Sequence, residues 1–111
     1  MIEKTIMDYL AAALSVPVCM EMPEAPPSSI VLVEKTAGGR KNRVNSAMLA
    51  IQSYAPSLLQ AAQLNEAVKS AMENAADLAE VCSAELNTDY NFTDTASKRY
   101  RYQAVYDITH Y

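Results

Sequence analysis

The chain has 111 residues and a mass of 12.2 kDa, enough for one hydrophobic core and too little for two. Half of the residues are hydrophobic and 20% are charged, and no apolar run approaches the roughly 18 residues of a membrane-spanning helix, which excludes disordered, collagen-like and helical membrane-spanning classes. Nine Lys and Arg against thirteen Asp and Glu leave a net charge of -4, the wrong sign for a protein that coats nucleic acid by electrostatics.

Ile2, Ile6, Tyr9, Leu10, Ala13 and Leu14 recur at spacings of three and four, which predicts a first helix over residues 2 to 14. Glu3 and Asp8 interrupt any basic-then-apolar pattern there, so no secretory leader is expected. Pro17 ends the helix, and residues 16 to 21 read as a short strand at a sheet edge. Residues 22 to 29 contain Pro23, Pro26 and Pro27 and predict an exposed, stiff linker. Ile30 to Thr36 is β-branched and apolar enough for a central strand, which Gly38 and Gly39 are expected to end. A loop is then expected over residues 37 to 43.

Residues 43 to 54 carry apolar side chains on both alternating sets and predict a second central strand. Ser57 and Gln60 have the spacing of a capping box, opening a helix over residues 57 to 76. Cys82, Ala84, Leu86, Tyr90 and Phe92 read as one face of a strand, and residues 93 to 97 as a turn. Tyr100, Tyr102, Ala104, Tyr106 and Ile108 alternate on the way back, with Arg99, Arg101, Gln103 and Asp107 on the other face. The order α-β-β-β-α-β-β predicts a single α+β domain over residues 1 to 111, with a mainly antiparallel sheet and both helices packed on one face.

Catalytic chemistry finds little support. The one histidine, His110, is the penultimate residue, a poor place for a triad base. Cys19 and Cys82 have neither C-x-x-C nor zinc-module spacing and are expected to be reduced and unligated. Gly38-Gly39-Arg40-Lys41 lacks the spacing of a phosphate-binding loop. No catalytic residue, cofactor or metal is expected. Charge placement is more informative, because seven of the nine basic residues lie in two short stretches: Lys35, Arg40, Lys41 and Arg43, then Lys98, Arg99 and Arg101. These two stretches, with Tyr100 and Tyr102 beside the second, are the candidate contact residues.

The order and spacing of several segments carry a resemblance: Met1-Ile-Glu-Lys, Leu14-Ser-Val-Pro-Val-Cys-Met-Glu before the proline linker, Ile30-Val-Leu-Val-Glu-Lys-Thr, Ala50-Ile-Gln-Ser-Tyr-Ala-Pro-Ser, Asp89-Tyr-Asn-Phe-Thr-Asp-Thr, and Arg99-Tyr-Arg-Tyr-Gln-Ala-Val-Tyr-Asp-Ile. Over most of its length the chain resembles the tail terminator, or tail completion, proteins of long-tailed phages and prophages of Gram-positive bacteria. The resemblance implies an α+β subunit that assembles as a hexameric ring on the head-proximal end of the tail tube, stops tube polymerisation and presents the surface that joins the filled head. Its implied partners are further copies of itself, the tail tube protein and a head completion or connector protein, met in the host cytoplasm and retained in the virion neck. It implies no enzyme activity, membrane or specific nucleic acid. In such a ring, residues 98 to 101 are expected to meet acids such as Glu85, Asp89 or Asp94 of a neighbour. Two other readings stay open: another neck, connector or minor tail protein, and a small nucleic-acid-binding regulatory protein working through Arg99 to Arg101.

Overall fold

The computed structural model describes residues 1–97 and 99–111. Its elements are α1 (Ile2–Ala13), β1 (Val18–Cys19), β2 (Ile30–Lys41), β3 (Val44–Ala55), α2 (Leu58–Met72), a 3₁₀ turn (Ala75–Asp77), β4 (Val81–Asn91) and β5 (Tyr100–His110). The strands form one five-stranded sheet in the order β1-β2-β3-β5-β4, parallel only between β1 and β2. This is the α+β architecture that the order of the elements predicts.

One face of the sheet carries the main core. Ile2, Ile6 and Leu10 of α1 and Val68 and Met72 of α2 pack with Val31, Val33, Leu49, Ile51, Ala104, Tyr106 and Ile108. Each such branched side chain taken fully out of water contributes roughly 1.5–3 kcal/mol, so this layer dominates stability. The Tyr9 hydroxyl donates to the Ala71 carbonyl at 2.6 Å and fastens the two helices together. Ile30, Leu32 and Tyr54 form a second, smaller cluster on the opposite, open face, with Cys19 against it.

Several boundaries differ from the sequence reading. Strand β2 does not end at the glycines but continues to Lys41, and β3 pairs with it back to Val44, so the expected loop over 37 to 43 is a hairpin. The glycines serve close approach instead: the Lys35 side chain crosses Gly38, where an added Cβ would sit 2.7 Å from its Cε. The reversal is made by Asn42 and Arg43, both at positive φ (52° and 67°), the backbone of a type I′ turn. Strand β1 shrinks to two residues because Pro17 has no N–H to donate; its carbonyl accepts from Val31 N at 2.9 Å and pairing stops there. The second helix ends at Met72 rather than 76, since Asn74 leaves helical geometry and the chain tightens into the 3₁₀ turn. Its start is as predicted, with Ser57 Oγ accepting from Gln60 N at 3.2 Å.

The sharpest difference lies in β4. Register shifts between Val81 and Ser83 and between Leu86 and Thr88 each insert one unpaired residue. Leu86 therefore pairs with Tyr106 on the helix face, whereas Tyr90 pairs with Gln103 on the open face. Phe92 stacks on Arg101 on that open side. A strict period of two from Cys82 to Phe92 had placed all of them on one face.

Candidate interaction surfaces

The pairing register separates the two basic stretches. Asn45 lies opposite His110 and Ala55 opposite Tyr100, so the β2–β3 turn and the β4–β5 turn project from opposite ends of the sheet. Eleven paired residues span about 35 Å, within a molecule 44 Å long.

At the first end, Lys35, Arg40, Lys41 and Arg43 are all exposed. Arg43 occupies the left-handed region, where a glycine sits without strain and an arginine does not. The turn thus holds a guanidinium at its tip despite a local penalty of about 1–2 kcal/mol. Tyr111 lies at the same end, three-quarters exposed, and its backbone N–H donates to the Glu80 carbonyl at 3.1 Å. The side-chain contact with Cys82 pushes the Tyr111 hydroxyl above the ordinary tyrosine value.

At the second end the arginines are engaged within their own chain. Arg101 Nη1 donates to Tyr54 Oη at 2.9 Å and its Nε to the Phe92 carbonyl at 2.8 Å, while its guanidinium lies 4.2 Å from the Phe92 ring centre. Arg99 stacks 5.0 Å from the Tyr54 ring centre and donates to the Pro27 carbonyl at 3.1 Å, which ties the proline linker across the open face. Tyr54 is held between the two. Tyr100 is exposed and Tyr102 half-buried, both on the face opposite these arginines. Lys98 lies outside the described residues. The surface at this end is completed by apolar side chains: Leu59 at the start of α2 is two-thirds exposed, and Leu58, Tyr90 and Phe92 are also open to solvent. One end therefore presents cations on a bare turn, and the other presents exposed aromatic and aliphatic side chains around two arginines that its own rings and carbonyls hold.

Two of the acids expected to receive a neighbour's basic stretch, Asp89 and Asp94, have partners at home. Asp89 Oδ2 accepts from Asn65 Nδ2 at 2.9 Å and from Lys69 Nζ at 3.0 Å, and Lys69 also reaches Glu66 at 2.9 Å. The carboxylates of Glu66 and then Asp89 hold the Lys69 ammonium above its ordinary value. Asp94 closes its own turn, held below the usual carboxylate range by the Ser97 hydroxyl and the Ala96 amide.

A polar ladder on the open face carried no signal in the sequence beyond two glutamines inside apolar runs. Gln52 Nε2 donates to Gln103 Oε1 at 2.9 Å, and Gln103 Nε2 donates to Tyr90 Oη at 2.6 Å, joining β3, β5 and β4 across one row. Both glutamines are buried and mutually satisfied, which fixes the register of three strands.

Among the described residues, no three His, Cys, Asp or Glu side chains gather as a metal-ligating group, and no helix is long and apolar enough to cross a membrane. No protein-family model matches the chain and no curated protein matches it, so its surfaces carry the functional reading.

Proposed function

We propose that this chain is a structural subunit of a phage tail, which closes as a hexameric ring on the head-proximal end of the tail tube, stops its polymerisation and offers the head-joining surface. The role is non-catalytic and belongs to the virion neck. The observation that carries the reading is the contrast between the two ends of the sheet. A ring subunit must meet the tube on one side and the head on the other, and the bare cationic turn around Arg43 and the end where exposed Leu59 and Phe92 surround the stacked Arg99 and Arg101 suit two chemically different partners. The ordered segments that resemble tail terminators supply the specific role.

Electron microscopy of particles from a phage lacking the gene tests it. Overlong tubes without heads are the expected result. Tails of normal length joined to heads would overturn the proposal.

A further inference from the structure

Both edges of the sheet offer unpaired backbone, and they differ in charge. Strand β1 pairs only with Val31 and Leu32, which leaves the outer edge of β2 from Glu34 onward without a strand beside it, and β4 forms the opposite edge. Residues 35 to 43 carry Lys35, Arg40, Lys41 and Arg43 and no acid. Residues 70 to 97 carry Glu73, Asp77, Glu80, Glu85, Asp89 and Asp94 and no base. An open edge is a template for another strand, and charge selects which edge it accepts.

The register sets the two open runs level with each other. Glu34 pairs with Ala50, Ala50 with Val105 and Val105 with Thr88; at the other limit Arg40 pairs with Asn45, Asn45 with His110 and His110 with Val81. Strands β2 and β5 run one way, β3 and β4 the other. A second copy added without turning over therefore brings its β2 antiparallel to β4 of the first. Because the two runs are level, successive copies need no rise along the strands, as a closed ring requires and an open helix does not.

The faces also correspond. The bulge between Lys35 and Ala37 leaves Lys35 opposite Leu49 and Arg40 opposite Asn45, both on the helix side, while Lys41 lies opposite Val44 on the open side. Beside β4 on the helix side is a groove of about 350 Å³ with Ala84, Leu86 and Tyr106 in its floor and Glu66, Lys69 and Glu73 at its rim; Lys69 is engaged by Glu66 and Asp89, so Glu73 is the rim carboxylate open to an incoming cation. Leu86 is 43% exposed there, an apolar bed for the methylene stems of a Lys or Arg whose charge meets a carboxylate. On the open side of β4 stands Glu85, opposite Asp107.

We infer that the outer edge of β2 in one copy pairs antiparallel with the outer edge of β4 in the next, with Lys35 level with Leu86 at the α2–β4 groove, Arg40 on the same helix side toward Val81, and Lys41 on the open face that also carries Glu85, near the start of β4. The pairing stands on the two edges; only its closure into six rests on the ring proposed above. The bulges in both strands and the row of basic groups on β2 disfavour pairing of like edges, which leaves the unlike edge as partner.

Two charge reversals on the full chain test this, one per edge and each touching both faces: Arg40→Glu with Lys41→Glu, and Glu73→Lys with Glu85→Lys. In sedimentation equilibrium at low salt the parent chain should gain mass as its concentration rises to the millimolar range. Each variant alone should associate at least about tenfold more weakly, and an equimolar mixture should regain association, since each then supplies the edge the other needs. Circular dichroism melts check that both variants fold. Hydrogen exchange of the parent chain gives an independent reading, with amide protection over 34 to 41 and 81 to 88 growing with concentration. A parent chain strictly monomeric at millimolar concentration, a two-fold dimer, or association indifferent to both reversals would overturn the pairing. Normal tails in the knockout would instead overturn the terminator role and leave an edge result standing.

Discussion

The amide of Asn65 and the carboxylate of Asp89 lie 2.9 Å apart, and that bond joins the middle of α2 to the edge strand β4. Asn65 is 1% exposed and its Oδ1 has no partner, so Asp89 is what satisfies this buried side chain. Asp89→Ala strands the buried Asn65 amide and leaves the Lys69 ammonium with Glu66 as its remaining carboxylate, with an expected loss of about 2 kcal/mol in urea unfolding. Asp89→Asn keeps an acceptor oxygen and should lose about half as much. Equal stability of Asp89→Ala and the parent would show the bond to be incidental.

The same region gives the stability a direction in alkaline solution. Glu66 and Asp89 raise the Lys69 value above 10.5, and burial beneath α2 pushes Tyr106 up to about 12. Both groups hold their proton more tightly folded than unfolded. Their contribution is thus complete below the ordinary values of 10.0 for tyrosine and 10.5 for lysine, and is lost as pH rises through the raised ones. Thermal melts should fall across that alkaline window, and Tyr106→Phe should make the decline shallower. An unchanged slope in Tyr106→Phe would remove the tyrosine from the account.

The elements legible in the sequence were those set by local chemistry. The spacing of Ile2, Ile6 and Leu10, the Ser57 cap and the β-branched run from Ile30 each specify their structure within a few residues. Elements set by pairing were misplaced. Gly38 and Gly39 read as a break because glycine is weak in a strand, yet β3 supplies partners for both and the turn falls on Asn42 and Arg43. The bulges of β4 shift face assignments by one residue, and nothing in the local pattern announces an unpaired residue. The basic stretches were visible as charge, but that Arg99 and Arg101 clamp Tyr54 depends on contacts from distant segments, the linker at Pro27 among them.

Arg101 is bound by geometry as much as by charge. Its Nε and Nη1 donate in two directions while the plane stacks on Phe92, an arrangement that an ammonium cannot reproduce. Arg101→Lys should therefore destabilise by about 1 kcal/mol and Tyr54→Phe by a similar amount, and the double variant by less than their sum, because both remove the same bond. Simple additivity in denaturant unfolding would contradict the coupling.

Cys19 and Cys82 stand at opposite edges of the sheet, on β1 and β4. Four strand spacings of about 4.8 Å separate them by roughly 19 Å, far outside the reach of a disulfide, whose Cα atoms lie within about 7 Å. An intact-mass measurement of the folded monomer after alkylation should show Cys82, which is exposed, modified first and the half-buried Cys19 later. A two-dalton deficit in a monomer that retains its fold would be incompatible with this sheet order.

The turn at the cationic end carries one strained residue. Asn42 at φ 52° is a residue suited to the left-handed region, and Arg43 at φ 67° is not, since its Cβ crowds the following carbonyl. Arg43→Gly removes that strain at the expense of a more mobile unfolded chain, and the balance favours the fold by about 1 kcal/mol. Arg43→Ala keeps the Cβ and should change stability little, which separates backbone strain from loss of charge. If the guanidinium at the tip serves docking, Arg43→Gly will be a more stable subunit that completes fewer tails, whereas a turn kept only for folding would show gain in both. Urea unfolding and particle yield, measured on the same two variants, decide between them: a destabilised Arg43→Gly would refute the strain, and a stabilised one with full yield would remove the tip from the docking surface.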